Sequence, residues 1–429
     1  MHRNNHSVVL GTVLLVFLGV ACRKAELKEP PYAVTILDGL PTVETDQSVV
    51  IMSNSSAQVG GSITDAGGTP ITARGLCWAT GQTPTMDDMV AAGLPALTGT
   101  GSFTASMGQL QPAVMYHARV FAVNHKGIAY GDEVVFFIPT VPVVAIAAVT
   151  GISDVAATVG GLVSSTGNGT VTGLGVQYGT DTITLSEAAT TPQGDGTGPF
   201  SILLNGLNPG TLYHVRAFAT NAVGTAYGGW STFITSVRDV DGNVYKVVKI
   251  GDQYWMAENL RTITYDNSDP LETAPLETDW FNLSSGAWAG RIDLFGNWED
   301  YGRLYNHYAT TDIRNVCPAG WSVPTNVQWD SLITYLGGYQ IAGGSMKADT
   351  DLWTAPNTGA TNTSGFNGVP AGLRTGSGSY DLLSFTGYWW SRTDAGPTAD
   401  HYELKHNSSS VIQGSGPKNF GYSIRCIKD

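Results

Sequence analysis

Tyr213-His214-Val215-Arg216-Ala217-Phe218-Ala219-Thr220-Asn221 repeats, with few changes, the earlier string Tyr116-His117-Ala118-Arg119-Val120-Phe121-Ala122-Val123-Asn124. Each string runs on to Gly-x-Ala-Tyr-Gly, at 127–131 and 224–228, an offset of 97 residues. Upstream, Gly60-Gly61 matches Gly160-Gly161 and Trp78 matches Tyr178, at an offset of 100. The three-residue slip falls in a variable loop. A period near 100 residues with closely spaced strand and turn signals predicts a pair of β-sandwiches. Within each string Tyr and the small aliphatic residues alternate with His and Arg, the period-2 pattern of a strand with one face inward.

Working outward, composition fits this reading. The 429 residues are 42% hydrophobic and 10% aromatic, enough for packed cores, which excludes wholesale disorder. Lys plus Arg number 22 against 35 Asp plus Glu, a net charge of −13, so no basic surface for nucleic acid is expected. Only 13% of residues are charged while Gly numbers 53, the profile of an exported, strand-rich protein whose surface is Thr, Ser, Asn and Gly. His2, Arg3 and His6 precede an apolar run at 8–20, too short to span a bilayer and of signal-peptide length. The run ends Leu18-Gly19-Val20-Ala21-Cys22, which resembles a bacterial lipoprotein box, although Gly19 stands where that box usually has Leu. The resemblance implies that Cys22 is the lipid-bearing first residue of the mature chain and that the protein meets the membrane through this lipid. The expected layout is a signal peptide over 1–21, a tether over 22–32, sandwiches over 33–140 and 141–235, and a different domain over 237–429.

The lead-in Leu207-Asn208-Pro209-Gly210-Thr211-x-Tyr213 resembles the fibronectin type III family, in which the Tyr forms a corner just before a central strand. Leu110, Pro112 and Tyr116 keep part of it in the first copy. His117 and His214 each stand alone on a strand and are read as structural. Cys77, opposite Gln177 in the repeat, is expected to be a free, partly exposed thiol. The two copies are read as spacers.

Composition changes beyond 236, where nine of the eleven Trp lie. Apolar runs around Gly251-Asp252-Gln253 predict a β-hairpin. Asp239-Val240-Asp241-Gly242-Asn243 reads as a turn, since the further acids and closing Glu of an EF-hand are missing. Thr325 and Gln328 stand at capping-box spacing, Trp329, Leu332, Ile333 and Leu336 make one apolar helix face, and Gly337-Gly338 ends it. A second, shorter helix is expected over 301–308. The strings Trp255-Met256-Ala257-Glu258-Asn259-Leu260, Tyr301-Gly302-Arg303-Leu304-Tyr305-Asn306 and Cys317-Pro318-x-Gly320-Trp321 come in that order. Asn357-Thr358-Gly359-Ala360-Thr361-Asn362, Gly365-Phe366, Gly387-Tyr388-Trp389-Trp390-Ser391 and Gly421-Tyr422-Ser423-Ile424-Arg425-Cys426 follow. Together they resemble the Fibrobacter succinogenes major paralogous domain, found in many exported bacterial proteins. Its layout is similar to the C-type lectin fold and its formylglycine-generating-enzyme relatives. The fold class implied is mainly β with an α+β C-terminal domain: two fibronectin type III-like sandwiches followed by a C-type-lectin-like domain. In such layouts a Cys before the helix pairs with one on the last strand, which implies a disulfide between Cys317 and Cys426.

No catalytic group, cofactor or metal site is expected. The lectin calcium motifs are in the wrong order and short of an acid. His401-x-Glu403-x-x-His406 on a strand would put its two imidazoles on opposite faces. The aromatic stretch at Trp389 and Trp390, with Arg392 and Asn407, is the candidate binding surface, with the 372–379 loop beside it; adjacent strand positions face opposite ways, so at least one Trp belongs to the core, and both being structural is the alternative. The expected function is a non-catalytic binding or adhesion head for a glycan or protein ligand, carried by a lipoprotein of the bacterial outer membrane or cell surface. The alternatives are an enzyme on the formylglycine-generating-enzyme-like fold and a passive surface component.

Overall fold

The computed structural model describes residues 39–92, 98–274, 276–290 and 298–429. Cys22 and the expected signal peptide and tether lie outside them. Strands make up 45% of the described residues and helices 7%, so the described protein is mainly β. No helix among the described residues is long and apolar enough to cross a membrane. Most of the first sandwich forms one compact unit; the second sandwich and the C-terminal domain belong together to another.

In the first sandwich Thr42–Ser53, Ser56–Asp65 and Gly101–Met107 form one sheet. Met89–Ala92, Ala73–Ala79, Met115–Asn124 and Gly127–Tyr130 form the other, with Val134–Phe137 also paired to Met115–Asn124. The second sandwich repeats this order: Gly198–Asn205, Ala156–Ser165 and Val143–Ile146 against Ser186–Thr190, Gly173–Gly179, Leu212–Asn221 and Gly224–Tyr227, with Ser231–Ile234 on Leu212–Asn221.

The repeated letters are repeated contacts. Asn124 Nδ2 donates to Gly39 O (2.8 Å) and Ala66 O (2.9 Å), and its Oδ1 accepts from Lys126 N. Asn221 does the same with Thr140 O (2.6 Å), Thr166 O (2.9 Å) and Val223 N. Arg119 lies 3.9 Å over the Tyr130 ring and Arg216 4.0 Å over Tyr227, so the Tyr of Gly-x-Ala-Tyr-Gly is the platform for the strand's Arg. A Cβ at Gly61 would sit 2.5 Å from Glu44 O and from Val120; at Gly161 it would sit 2.6 Å from Ala145 O, so this position must stay bare. Tyr213 closes its corner by accepting from Asn208 N–H at 3.0 Å. Both histidines are structural: His117 pairs with Glu133, and His214 meets Trp230 edge-on.

Cys77 is free, as expected, but buried rather than partly exposed. Its strand lies between two neighbours, and its cross-strand partner is Arg119, whose guanidinium folds over Tyr130 and covers the outer face. Burial raises the thiol's pKa. Gln177 is covered in the same way, tied to Arg216 and Glu187.

The C-terminal domain has two main sheets. Val247–Ile250, Gln253–Met256, Ile427–Lys428 and Trp321–Ser322 form one, and Thr386–Ala395, Thr398–Lys405 and Val411–Pro417 the other. The expected hairpin turns at Gly251 (φ +61°). The helix Asn326–Tyr335 opens on the full capping box between Thr325 and Gln328, and Gly337 and Gly338, at φ +98° and +93°, end it. The second helix expected over 301–308 is instead divided. A short helix Trp298–Tyr301 stops at Gly302 (φ +77°), the strand Leu304–Tyr305 pairs with Ala287–Ala289, and Asn306 then caps a new turn, His307–Thr310. Gly302 reverses the chain where a Cβ would meet Asn259 at 2.6 Å.

The second sandwich shares a core with this domain. Ile234 and Val237 are buried with Tyr245, Met256, Trp321 and Trp390, and Leu212 packs on them. Lys428 Nζ donates to Gly210 O at 3.0 Å, and Arg238 bonds Asp154 at 2.6 Å.

Candidate functional site

The aromatic surface expected at 389–390 does not exist. Trp389 and Trp390 are 1% and 0% exposed. Alternation does send them to opposite sides of their strand, but each side is a core. Trp390 packs with Tyr305, Tyr388 and Tyr422, and Trp389 with Trp255, Phe366, Tyr402 and Leu404. Trp255 and Met256 divide between the same two cores. The indole N–H groups are used as well: Trp390 donates to Tyr305 O (2.7 Å) and Trp389 to Asn259 Oδ1 (2.8 Å). Arg392 and Asn407 are exposed but lie toward opposite ends of the Thr386–Ala395/Thr398–Lys405 ladder, where Thr386 pairs with Lys405 and Ala395 with Thr398. The 372–379 loop packs on Glu277 through Gly378. The four candidate residues therefore form no common surface.

The signature residues converge instead on a buried polar hub. Arg425 is fully buried, and all five of its N–H groups meet neutral oxygens: Asn259 Oδ1 twice (3.2 and 2.7 Å), Met256 O (3.1 Å), Phe366 O and Asn367 O (3.4 Å). Its guanidinium lies 4.3 Å over the Phe366 ring. Burial holds its pKa below the usual arginine range. Asn259 is saturated in turn, donating to Tyr301 O (2.9 Å) and Ser423 Oγ (3.1 Å). Lys347 is another buried cation. Its ammonium reaches Thr358 O (2.8 Å) and Lys405 O (3.1 Å), and burial pushes its pKa down to about 8. His307 Nε2 donates to Ser391 O at 3.1 Å, and burial takes its pKa down to about 4, so it is neutral at pH 7. Cys317 and Cys426 are disulfide-bonded and join the helix start to the last strand.

Beside the hub opens a cleft of about 520 Å³. Glu258, Asn259 and Arg261 follow the first hairpin into it; Asn243, Glu299, Asp300, Thr350, Leu352, Asn367 and Val369 complete it. Arg261 is held by Glu258 (3.0 Å), by Val244 O (2.9 Å) and over the Tyr245 ring (4.5 Å). Asn243 gives its amide to Asp239 Oδ2, which leaves its Oδ1, and Asn367 accepts from Asn362 through Oδ1, which leaves its Nδ2. Glu299 and Asp300 are exposed, and no partner for either carboxylate is seen among the described residues. Glu258 and Asn259 belong to the first signature string, yet nothing in the sequence placed Asn243, Glu299 or Asp300 beside them; only the fold does.

The acidic turn at 239–243 is a turn. Asp239 accepts from Asn243 and Tyr245, and Asp241 from Thr262, Thr264 and Ile263 N, which occupies both carboxylates. His401 bonds Glu403, while His406 bonds Ala355 O, so the two imidazoles do not converge. Among the described residues no group of three or more His, Cys, Asp or Glu is placed to hold a metal ion.

Residues 248–428 match the family model of the Fibrobacter succinogenes major domain. That part of the chain belongs to this family. The hub accounts for the major domain's legibility in sequence, since its strings are the residues that hold one another. A search of curated proteins found no match. Among solved structures, domains of titin are similar at 15% identity, over 46% of this chain and 66% of theirs (TM-score 0.31). The FN1–FN3 domains of chicken CNTN1 match at 15% identity, over 53% and 79% (TM-score 0.27). The sensor domain of the anti-sigma factor RsgI4 in Pseudobacteroides cellulosolvens matches at 17%, over 22% and 95% (TM-score 0.20).

Proposed function

We propose that the protein is a lipid-anchored surface lipoprotein whose major domain is a non-catalytic binding head, in a C-type-lectin-like arrangement, carried on two sandwich spacers. The observation that carries this reading is the cleft: it is open to solvent, keeps unpartnered hydrogen-bonding groups, and sits on a floor whose own polar atoms are saturated. A rigid floor with free groups at its rim suits recognition, because little ordering is left to be done on binding. The Ala21-Cys22 junction supports the anchor and, with it, an outer-membrane or cell-surface address.

The test uses the full chain expressed in a Gram-negative host. Wild type should partition into detergent and Cys22→Ala into the aqueous phase. The purified chain should then bind members of a combined glycan and protein array. An unmodified N-terminus in the aqueous phase overturns the anchor. Turnover of a substrate, lost on substituting carboxylates of the cleft, overturns the binder in favour of an enzyme.

A further inference from the structure

We infer that the cleft takes a neutral, polyhydroxylated ligand, a saccharide; this rests on the binding-head reading and names the site and the ligand class within it. The charge distribution decides between classes. Glu258, Glu299 and Asp300 bring three carboxylates to the cleft, which disfavour an anion. Arg261 stands among them, paired with Glu258, and the Arg425 guanidinium lies below, bonded to the Asn259 and Asn367 that line the cleft, which offsets part of that negative charge. Opposed charges at close quarters suit a ligand that is itself uncharged.

The hydrogen-bonding inventory points the same way. The unpartnered carboxylates of Glu299 and Asp300 and Oδ1 of Asn243 only accept, whereas Nδ2 of Asn367 and the Arg261 guanidinium only donate. A hydroxyl group does both, so a ring bearing several hydroxyls meets both kinds at once. Leu352 and Val369 supply the apolar contact that the C–H face of such a ring needs. The volume of about 520 Å³ falls in the range of small-molecule sites, roughly 300–1,000 Å³. Arg261 and Asn259 are already fixed by their neighbours, so these groups are aimed before the ligand arrives.

The experiment probes the full chain on an array of neutral, anionic and amino-bearing oligosaccharides and of basic peptides, with and without EDTA. Neutral oligosaccharides should be retained, equally with EDTA. Their affinity should fall at least ten-fold in the double variant Glu299→Gln/Asp300→Asn, whose unfolding temperature should be unchanged because both side chains are exposed. Thr350→Tyr, which fills the cleft from a different stretch of chain, should do the same, and Asn407→Ala should not. Retention of only anionic, amino-bearing or peptide probes overturns the assignment, as does loss of binding in EDTA or unchanged affinity in both cleft variants. If no glycan binds while a protein on the broader array does, the saccharide falls and the binding head stands; if nothing binds, both fall.

Discussion

The sandwiches and the major domain both have to tie loops to strands; the sandwiches repeat one neutral tie, and the major domain adds fully buried cations. In each sandwich a neutral amide, Asn124 or Asn221, reaches two loop carbonyls and a backbone N–H. In the major domain the amide of Asn306 is joined by buried cations, among them Arg425 and Lys347, which meet only neutral oxygens. A neutral tie needs little desolvation and is easily copied, which is why it recurs about 100 residues on. A buried guanidinium gathers more chain into one place but must find a partner for every N–H. The difference makes the sandwiches tolerant and the major domain brittle at one point.

The sharpest way to break that contrast is Arg425→Met. It leaves the carbonyls of Met256, Phe366 and Asn367 without the Arg425 donor, and Asn259 Oδ1 keeps only Trp389. At about 1–3 kcal/mol for each buried group left unsatisfied, the loss should exceed about 4 kcal/mol, a large share of a domain's ~5–15 kcal/mol. Trp fluorescence in a urea titration reads this directly, because nine of the eleven Trp lie beyond residue 236. A loss under 1 kcal/mol would show that the hub is dispensable.

Asn124→Ala and Asn221→Ala should each cost about 2–3 kcal/mol, since the loop carbonyls lose their donor. Hydrogen exchange should rise around the substituted Asn, with the first substitution felt in the first sandwich and the second in its repeat. Equal effects of one substitution on both sandwiches would refute the idea of separate, copied ties.

The smallest effect concerns Lys347. Its folded pKa of about 8 lies below the ordinary ~10.4 of lysine. Between those values the unfolded chain holds the proton and the folded chain releases it, so stability rises with pH across that window. A gain of about 1–2 kcal/mol from pH 7.5 to 9.5 is expected, and Lys347→Met should flatten it. Above about pH 10 the trend reverses, because burial keeps Tyr305 protonated in the fold while unfolded tyrosine ionises. An identical slope in the variant would mean that this ammonium does not titrate there.

The sandwiches were legible because their period is long and their alternation strict: Tyr213, the Gly-Gly pairs and the Asn ties appear in sequence where they act in space. In the major domain the capping box at Thr325 and the Cys317–Cys426 bond were equally legible, being local or implied by the family resemblance. Trp389 and Trp390 were not. Alternation correctly gives opposite faces, but it cannot say that this strand has a core on both sides. Cys77 failed for a related reason, since the cover over its outer face comes from a cation–π stack between residues 42 and 53 positions away. The cleft was illegible altogether, because Asn243, Glu299 and Asn367 meet only once the chain has closed.

The core shared by the second sandwich and the major domain has a mechanical meaning. Leu212, Ile234 and Val237 pack with Tyr245 and Trp321, and Lys428 bonds Gly210 O beside them. A pull applied to the major domain thus enters the second sandwich through a broad seam and not through a single thread of backbone. The second sandwich and the major domain form one piece, whose smallest transplantable cassette begins near residue 141, not 237.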